Sequence, residues 1–203
     1  MGSVSRIPLP DPGTKCPVAT MGTTLDRFAE LTEGLSSLDE LAETLSRRAN
    51  GAIRRAGLKS LLSGQWLGHP FHPLATDAVI GAWTMAAVLD FSGTSKQAAD
   101  RLLGVGILAA LPTAAAGASD WADMTSGGTR RMGLVHAAGN VAALALNTAS
   151  YVVRKTGRRR LGRRLTAASG LPLAVSGFLG AHMTYARAVG VREGPAAAAI
   201  VRD

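Results

Sequence analysis

The sequence predicts an all-α fold, a four-helix transmembrane bundle preceded by an amphipathic helical N-terminal segment. Three observations predict it. Four apolar stretches of membrane-crossing length follow one another after Trp66. The chain is 47% hydrophobic yet only 4% aromatic, so Ala and Gly supply much of its apolar bulk. Close-packed membrane helices use such small residues, whereas soluble cores draw their buried area from aromatics and large aliphatics. None of the four stretches carries the charged outer face of a water-soluble bundle helix.

Residues 1–22, MGSVSRIPLPDPGTKCPVATMG, are rich in Pro, Gly and small polar residues and read as a flexible tail. Cys16 is the single cysteine, which excludes an intrachain disulfide and a cysteine-built metal cluster. No apolar h-region precedes it, so the first span is expected to direct membrane insertion. Residues 23–65 form the amphipathic segment. Leu25, Phe28 and Leu31 mark one short face, Gly34 breaks it, and Ser37 to Glu40 has capping-box spacing. Leu38, Leu41, Ala42 and Leu45 continue at helical intervals into RRANGAIRRAGLKSLL. Such a basic helix either lies on an anionic membrane surface or packs as a hairpin against the rest of the chain.

The four-span domain occupies 66–191, with spans at about 74–91, 102–119, 132–153 and 165–186, and a short flexible tail at 192–203. Asp77 lies inside the first span, Asn140 and Asn147 inside the third. Polar groups at such depth are costly unless they face other helices, so they predict a packed bundle rather than four separate anchors. Asn147 is expected to hydrogen-bond between helices. A weak repeat runs through the domain. PTAAAG (112–117) matches PLAVSG (172–177), and GHPFH (68–72) matches MGLVH (132–136), as two tandem hairpins would.

The chain carries a net charge of +8. Its densest basic stretch, RKTGRRRLGRR (154–164), sits between two apolar runs and has no aromatic residue for base stacking. A loop facing anionic lipid is the plainer reading, and nucleic acid is not an expected partner. Positive charge is shared between the two sides, so charge bias does not assign an orientation.

Alternation of direction gives a geometric result. His69 and His72 begin span one, His136 lies one turn into span three, and His182 lies near the far end of span four. All four therefore fall in one layer near one face. Asp77, Asp120 and Trp121 belong to the same layer, as does Asp123. Imidazoles near carboxylates at a helix bundle are the raw material of metal, haem or proton chemistry. The plainer alternative is that the His-Pro pairs shape the start of a helix and the imidazoles are merely wet.

Two chemistries compete for the layer. Facing imidazoles ligate a haem b, with Gly117, Gly139, Ser176, Gly177 and Gly180 leaving room for the macrocycle. Otherwise His69, His72, His136 and His182, with Asp77 or Asp120, bind a zinc, copper or iron ion directly. Asn140, one turn from His136 on the same face, and Trp121 are the expected supporting groups. No catalytic triad, P-loop or nucleotide fingerprint appears.

The ordered set GHPFHP, ALPTAAAGASDW, GLVHA and GAHM, over about residues 58–191, resembles a bacterial predicted-membrane family of unknown function, DUF2231. In actinobacteria this domain often precedes a Rieske iron–sulfur domain in one chain. The resemblance implies a four-span domain in the bacterial cell membrane and a link to electron transfer. It picks out His69, His72, Asp77, Asp120, Trp121, His136 and His182. This chain has no Rieske cysteines, so an iron–sulfur or other redox partner is expected to be a separate protein; a homo-oligomer is also compatible. The expectation is a haem- or metal-binding component of a redox chain. The runner-up is a non-catalytic membrane anchor or assembly subunit. A proton or ion carrier would need polar groups deeper in spans two and four.

Overall fold

The described chain opens on a reciprocal cap. The Thr23 hydroxyl accepts the Asp26 N–H, and the Asp26 carboxylate accepts from the Thr23 N–H and hydroxyl, starting α1 (Thr24–Glu33). These contacts hold the Asp26 carboxyl below the usual carboxylate range, the backbone N–H of Thr23 contributing most. The computed structural model describes residues 23–187 and Val189; Cys16 and both expected tails, 1–22 and 192–203, lie outside the described residues. The capping box expected at Ser37 to Glu40 does not form. Ser36–Leu38 instead make a single 3₁₀ turn, and α2 (Asp39–Arg55) starts with no side-chain cap.

The N-terminal helices also turn a different face inward from the one their leucines suggested. Ala29 and Thr32 of α1 and Ala42 and Ser46 of α2 are buried, while Leu25, Leu31, Leu41 and Leu45 are exposed. These helices lie against α5 and α6, where small residues permit close approach. Phe28 reaches Phe178, with ring centroids 6.4 Å apart. A short α3 (Lys59–Leu62) and a 3₁₀ turn (Gln65–Leu67) then lead to the bundle. Gly64 is obligatory here. Its φ is +75°, and a Cβ would collide with the His69 carbonyl and the Phe71 N–H.

Four long helices follow: α4 (Phe71–Ser92), α5 (Lys96–Ala122), α6 (Gly127–Lys155) and α7 (Arg159–Tyr185). At 1.5 Å per residue they run roughly 33–44 Å, enough to cross a hydrocarbon core of about 30 Å. Each starts three or more residues before the span read from hydropathy, and most extend past it, because polar caps and charged ends continue the helix. Among the described residues there is no strand. α4 pairs with α5 and α6 with α7 as hairpins, which meet mainly through α5 and α6. Val79, Trp83, Ala86, Leu103, Ala110 and Ala143 form the central core.

α4 and α5 are apolar and long enough to be candidate membrane spans, with mean hydropathies of 1.4 and 1.7. α6 and α7 fall short of the same measure because they carry an inward polar seam. On α6, His136, Asn140, Asn147, Ser150 and Arg154 share one face, and the last three are buried. Serine and threonine line the facing side of α7, where Thr166, Ser169 and Ser176 are buried. Large apolar side chains stand outward on all four helices: Phe91 is 67% exposed, Leu108 69%, Val141 66% and Leu171 74%.

Candidate functional site: a paired-histidine centre

His72 enters from the first turn of α4 and His136 from the third turn of α6, one from each hairpin. Their ring centroids lie 6.2 Å apart with planes at 84°. Each imidazole is fastened to the second helix of its own hairpin. His72 Nδ1 donates to the Thr113 carbonyl at 2.9 Å, and His136 Nδ1 donates to the Ser176 carbonyl at 2.7 Å. The Ser176 hydroxyl lies 3.0 Å from the same Nδ1 and itself donates to the His136 carbonyl at 2.8 Å.

A carbonyl oxygen can only accept, so each Nδ1 carries the proton. The neutral imidazoles are thereby fixed in the tautomer that leaves Nε2 with a free lone pair. The Asn140 amide donates to His136 Nε2 at 2.9 Å, which requires that lone pair and realises the one-turn spacing read from the sequence. A bound Nδ1–H and an unprotonated Nε2 are the form in which histidine ligates metals.

Two glycines make the arrangement sterically possible. A Cβ on Gly117 would lie 2.8 Å from His72 Cε1, and one on Gly180 would lie 2.9 Å from His136 Cε1. The imidazoles themselves therefore fill space that was expected to receive a macrocycle. Ser176 and the Pro172 carbonyl close on Gly139, and Gly177 faces nothing within 4 Å. The repeat is also corrected. His72 and His136 are counterparts as the paired lead-ins implied, but Thr113 matches Ser176 and Gly117 matches Gly180. The PTAAAG–PLAVSG alignment was thus one helical turn out of register.

The other expected site residues do not join the pair. His69 is exposed, its Nδ1 3.2 Å from the Pro70 carbonyl. His182 packs on Phe178 at 5.9 Å, and its buried Nε2 has no hydrogen-bond partner among the described residues. Asp77 is exposed rather than turned inward, because it sits on the outer side of α4. Asp120 is half-buried at the end of α5. Trp121 Nε1 donates to the Arg130 carbonyl at 2.9 Å, fastening α5 to the start of α6. Among the described residues no three His, Cys, Asp or Glu side chains gather as a metal-ligand group. Of the expected site residues, the structure brings the imidazoles of His72 and His136 together. Asn147 is corrected as well, since its Nδ2 donates to the Ala143 carbonyl within its own helix.

Sequence reasoning missed two groups. At the histidine end, Lys59 Nζ donates to the Ser119 carbonyl at 2.8 Å and pairs with Asp123 at 2.6 Å, clamping α3 onto α5. At the opposite end, Arg154 lies 2.6 Å from Asp90 and 3.0 Å from Asp100, while Arg159 lies 2.7 and 2.9 Å from the same two acids. The Arg154 and Asp90 side chains are 1% and 3% exposed. The available signal was an acid in the last turn of the first apolar stretch, level with an arginine at the end of the third.

An all-helical bundle with large apolar side chains turned outward, two helices apolar enough to be candidate spans and buried polar seams defines a membrane-protein class. The chain belongs to the family described as predicted membrane protein (DUF2231), whose family model matches residues 68–193. No curated protein and no solved structure matches the chain.

Proposed function

We propose that the chain is a four-span integral membrane component of an electron-transfer system, in which Nε2 of His72 and Nε2 of His136 jointly hold a redox-active metal ion. The observation that carries the reading is the fixed tautomer: both imidazoles, one from each hairpin, give their Nδ1–H to a backbone carbonyl and present the other nitrogen as a lone pair. Four helices of spanning length with apolar outer faces support the span count. The link to electron transfer rests on the resemblance to chains that carry a Rieske domain.

A single ion fits the pair better than a haem does, because the imidazoles already fill the space over Gly117 and Gly180. Of zinc, copper and iron, copper fits a two-nitrogen set best: copper(I) accepts two donors, whereas structural zinc wants four. Bound there, the ion would take up and return one electron. The Asn140 amide occupies the His136 lone pair until an ion takes it, and the Ser176 hydroxyl holds the ring in place.

The second reading, a membrane anchor or assembly subunit, is favoured by the same two carbonyl bonds, which staple α4 to α5 and α6 to α7 whether or not anything binds. The discriminating experiment is the absorbance spectrum of detergent-purified protein, oxidised and dithionite-reduced, with copper, zinc and iron analysis of the same sample. One copper per chain without a Soret band is expected. A Soret band would establish haem instead, and protein that neither retains nor takes up any of the three metals or haem would leave the anchor reading.

A further inference from the structure

At the end of the bundle opposite the histidines, a cleft of about 250 Å³ opens between the α4–α5 and α6–α7 turns, lined by Asp90, Lys96, Arg159, Arg160 and Arg163 among others. Its charge is unbalanced. Asp90 and Asp100 are matched by Arg154 and Arg159, which bond to both acids. Lys96, Arg160 and Arg163 have no carboxylate within ion-pair distance among the described residues, leaving three cations facing one concavity. The rim is apolar on one side. Arg163 lies over the Phe91 ring at 5.7 Å, and Phe91 and Val88 continue outward along α4, 67% and 50% exposed.

We infer that this cleft binds the phosphodiester headgroup of an anionic phospholipid, with Lys96, Arg160 and Arg163 on the phosphate and the acyl chains along Phe91 and Val88. Cations alone would suit any phosphate anion. The contiguous exposed aromatic and aliphatic flank is what commits the site to a lipid, since a soluble phosphate has nothing to place there. The inference rests on the membrane-spanning part of the proposed function and is independent of the histidine pair.

The test measures binding of fluorescent phosphatidylglycerol to the full chain in uncharged detergent micelles, with phosphatidylcholine as the neutral comparison. The combined variant Lys96→Gln, Arg160→Gln and Arg163→Gln spares the ion pairs of Arg154 and Arg159. Phosphatidylglycerol is expected to bind in preference to phosphatidylcholine, and the variant to weaken it by about fivefold per cation, roughly a hundredfold in all. Equal binding by the variant overturns the site. Complete displacement by millimolar inorganic phosphate overturns the lipid assignment in favour of a free anion. Failure of the wild-type chain to enter phosphatidylcholine nanodiscs overturns the span reading and this site together, whereas loss of copper binding alone touches only the histidine centre.

Discussion

Asp90 and Arg154 occupy equivalent places in the two hairpins, each about five helical turns beyond its histidine, and their side chains meet at 2.6 Å inside the bundle. At that level the two hairpins place opposite charges that bind each other, while at the other end each places an imidazole. The pair is nearly solvent-free and is completed by Ser150 and Thr166 hydroxyls and by Arg159. Such a fully bonded cluster fixes how the hairpins register.

Removing one partner should therefore cost far more than a surface ion pair. Arg154→Met leaves Asp90 and Asp100 to Arg159 alone, and breaking a buried pair in this way typically costs about 3–5 kcal/mol. Denaturant titration in detergent micelles measures it. By contrast, Arg187→Ala, which breaks the exposed bond to Glu33, should cost no more than about 1 kcal/mol. Equal effects of the two would contradict the assigned role of the buried cluster.

The glycines divide into two groups with opposite expected effects. Gly117→Ala and Gly180→Ala push a methyl group into an imidazole and should displace His72 or His136, lowering the metal retention that the proposed function expects. Gly170→Ala and Gly177→Ala meet nothing within 4 Å. They should leave retention intact and raise stability by about 0.5–1 kcal/mol through helix propensity. Metal content and melting temperature of the four variants check both halves.

Lys59 is the polar clamp between the N-terminal helices and the bundle. Lys59→Met removes its bonds to Ser119 and the ion pair to Asp123 and should cost about 1.5–3 kcal/mol. Hydrogen exchange should report faster opening of α2 and α3 while the amides of α4–α7 keep their protection. Uniform loss of protection across all seven helices would show that the N-terminal segment is integral to the bundle.

Acid should loosen α1 first. The Asp26 carboxyl is held below its unfolded value, so its contribution to the cap is complete above the ordinary carboxylate range, about pH 4. It is lost as pH falls through the lowered folded value. Exchange at the α1 amides should accelerate on acidification below that range, and Asp26→Asn should abolish the pH dependence. Unchanged acid sensitivity in the variant would assign the effect to another group.

Much of the bundle is legible because long apolar-rich stretches announce helices by composition: four long helices follow in the expected order, and α4 and α5 are apolar enough to be candidate spans. The imidazole layer was half legible. Alternation brings His72 and His136 to one end, and spacing puts Asn140 on His136, but rotation about each helix axis decides which side chains face inward. That rotation sends Asp77 outward, while His69 lies on the surface in the bend that precedes α4. The Arg154 cluster was read as part of a lipid-facing loop because charge near a span end looks the same in sequence whether it meets lipid or a carboxylate. Which face of α1 and α2 is buried was misread because leucine usually marks the inner face. Here alanine lets the helices approach, and the leucines point away.

The central claim is that His72 and His136 act together as ligands. It is tested most directly by the copper stoichiometry of the purified chain beside that of His72→Ala, His136→Ala, His69→Ala and His182→Ala, each checked for helix content. The proposed function predicts one ion per chain in the wild type and in the His69 and His182 variants, and none in either of the other two. Full copper in His72→Ala or His136→Ala, or loss in His182→Ala alone, would contradict it.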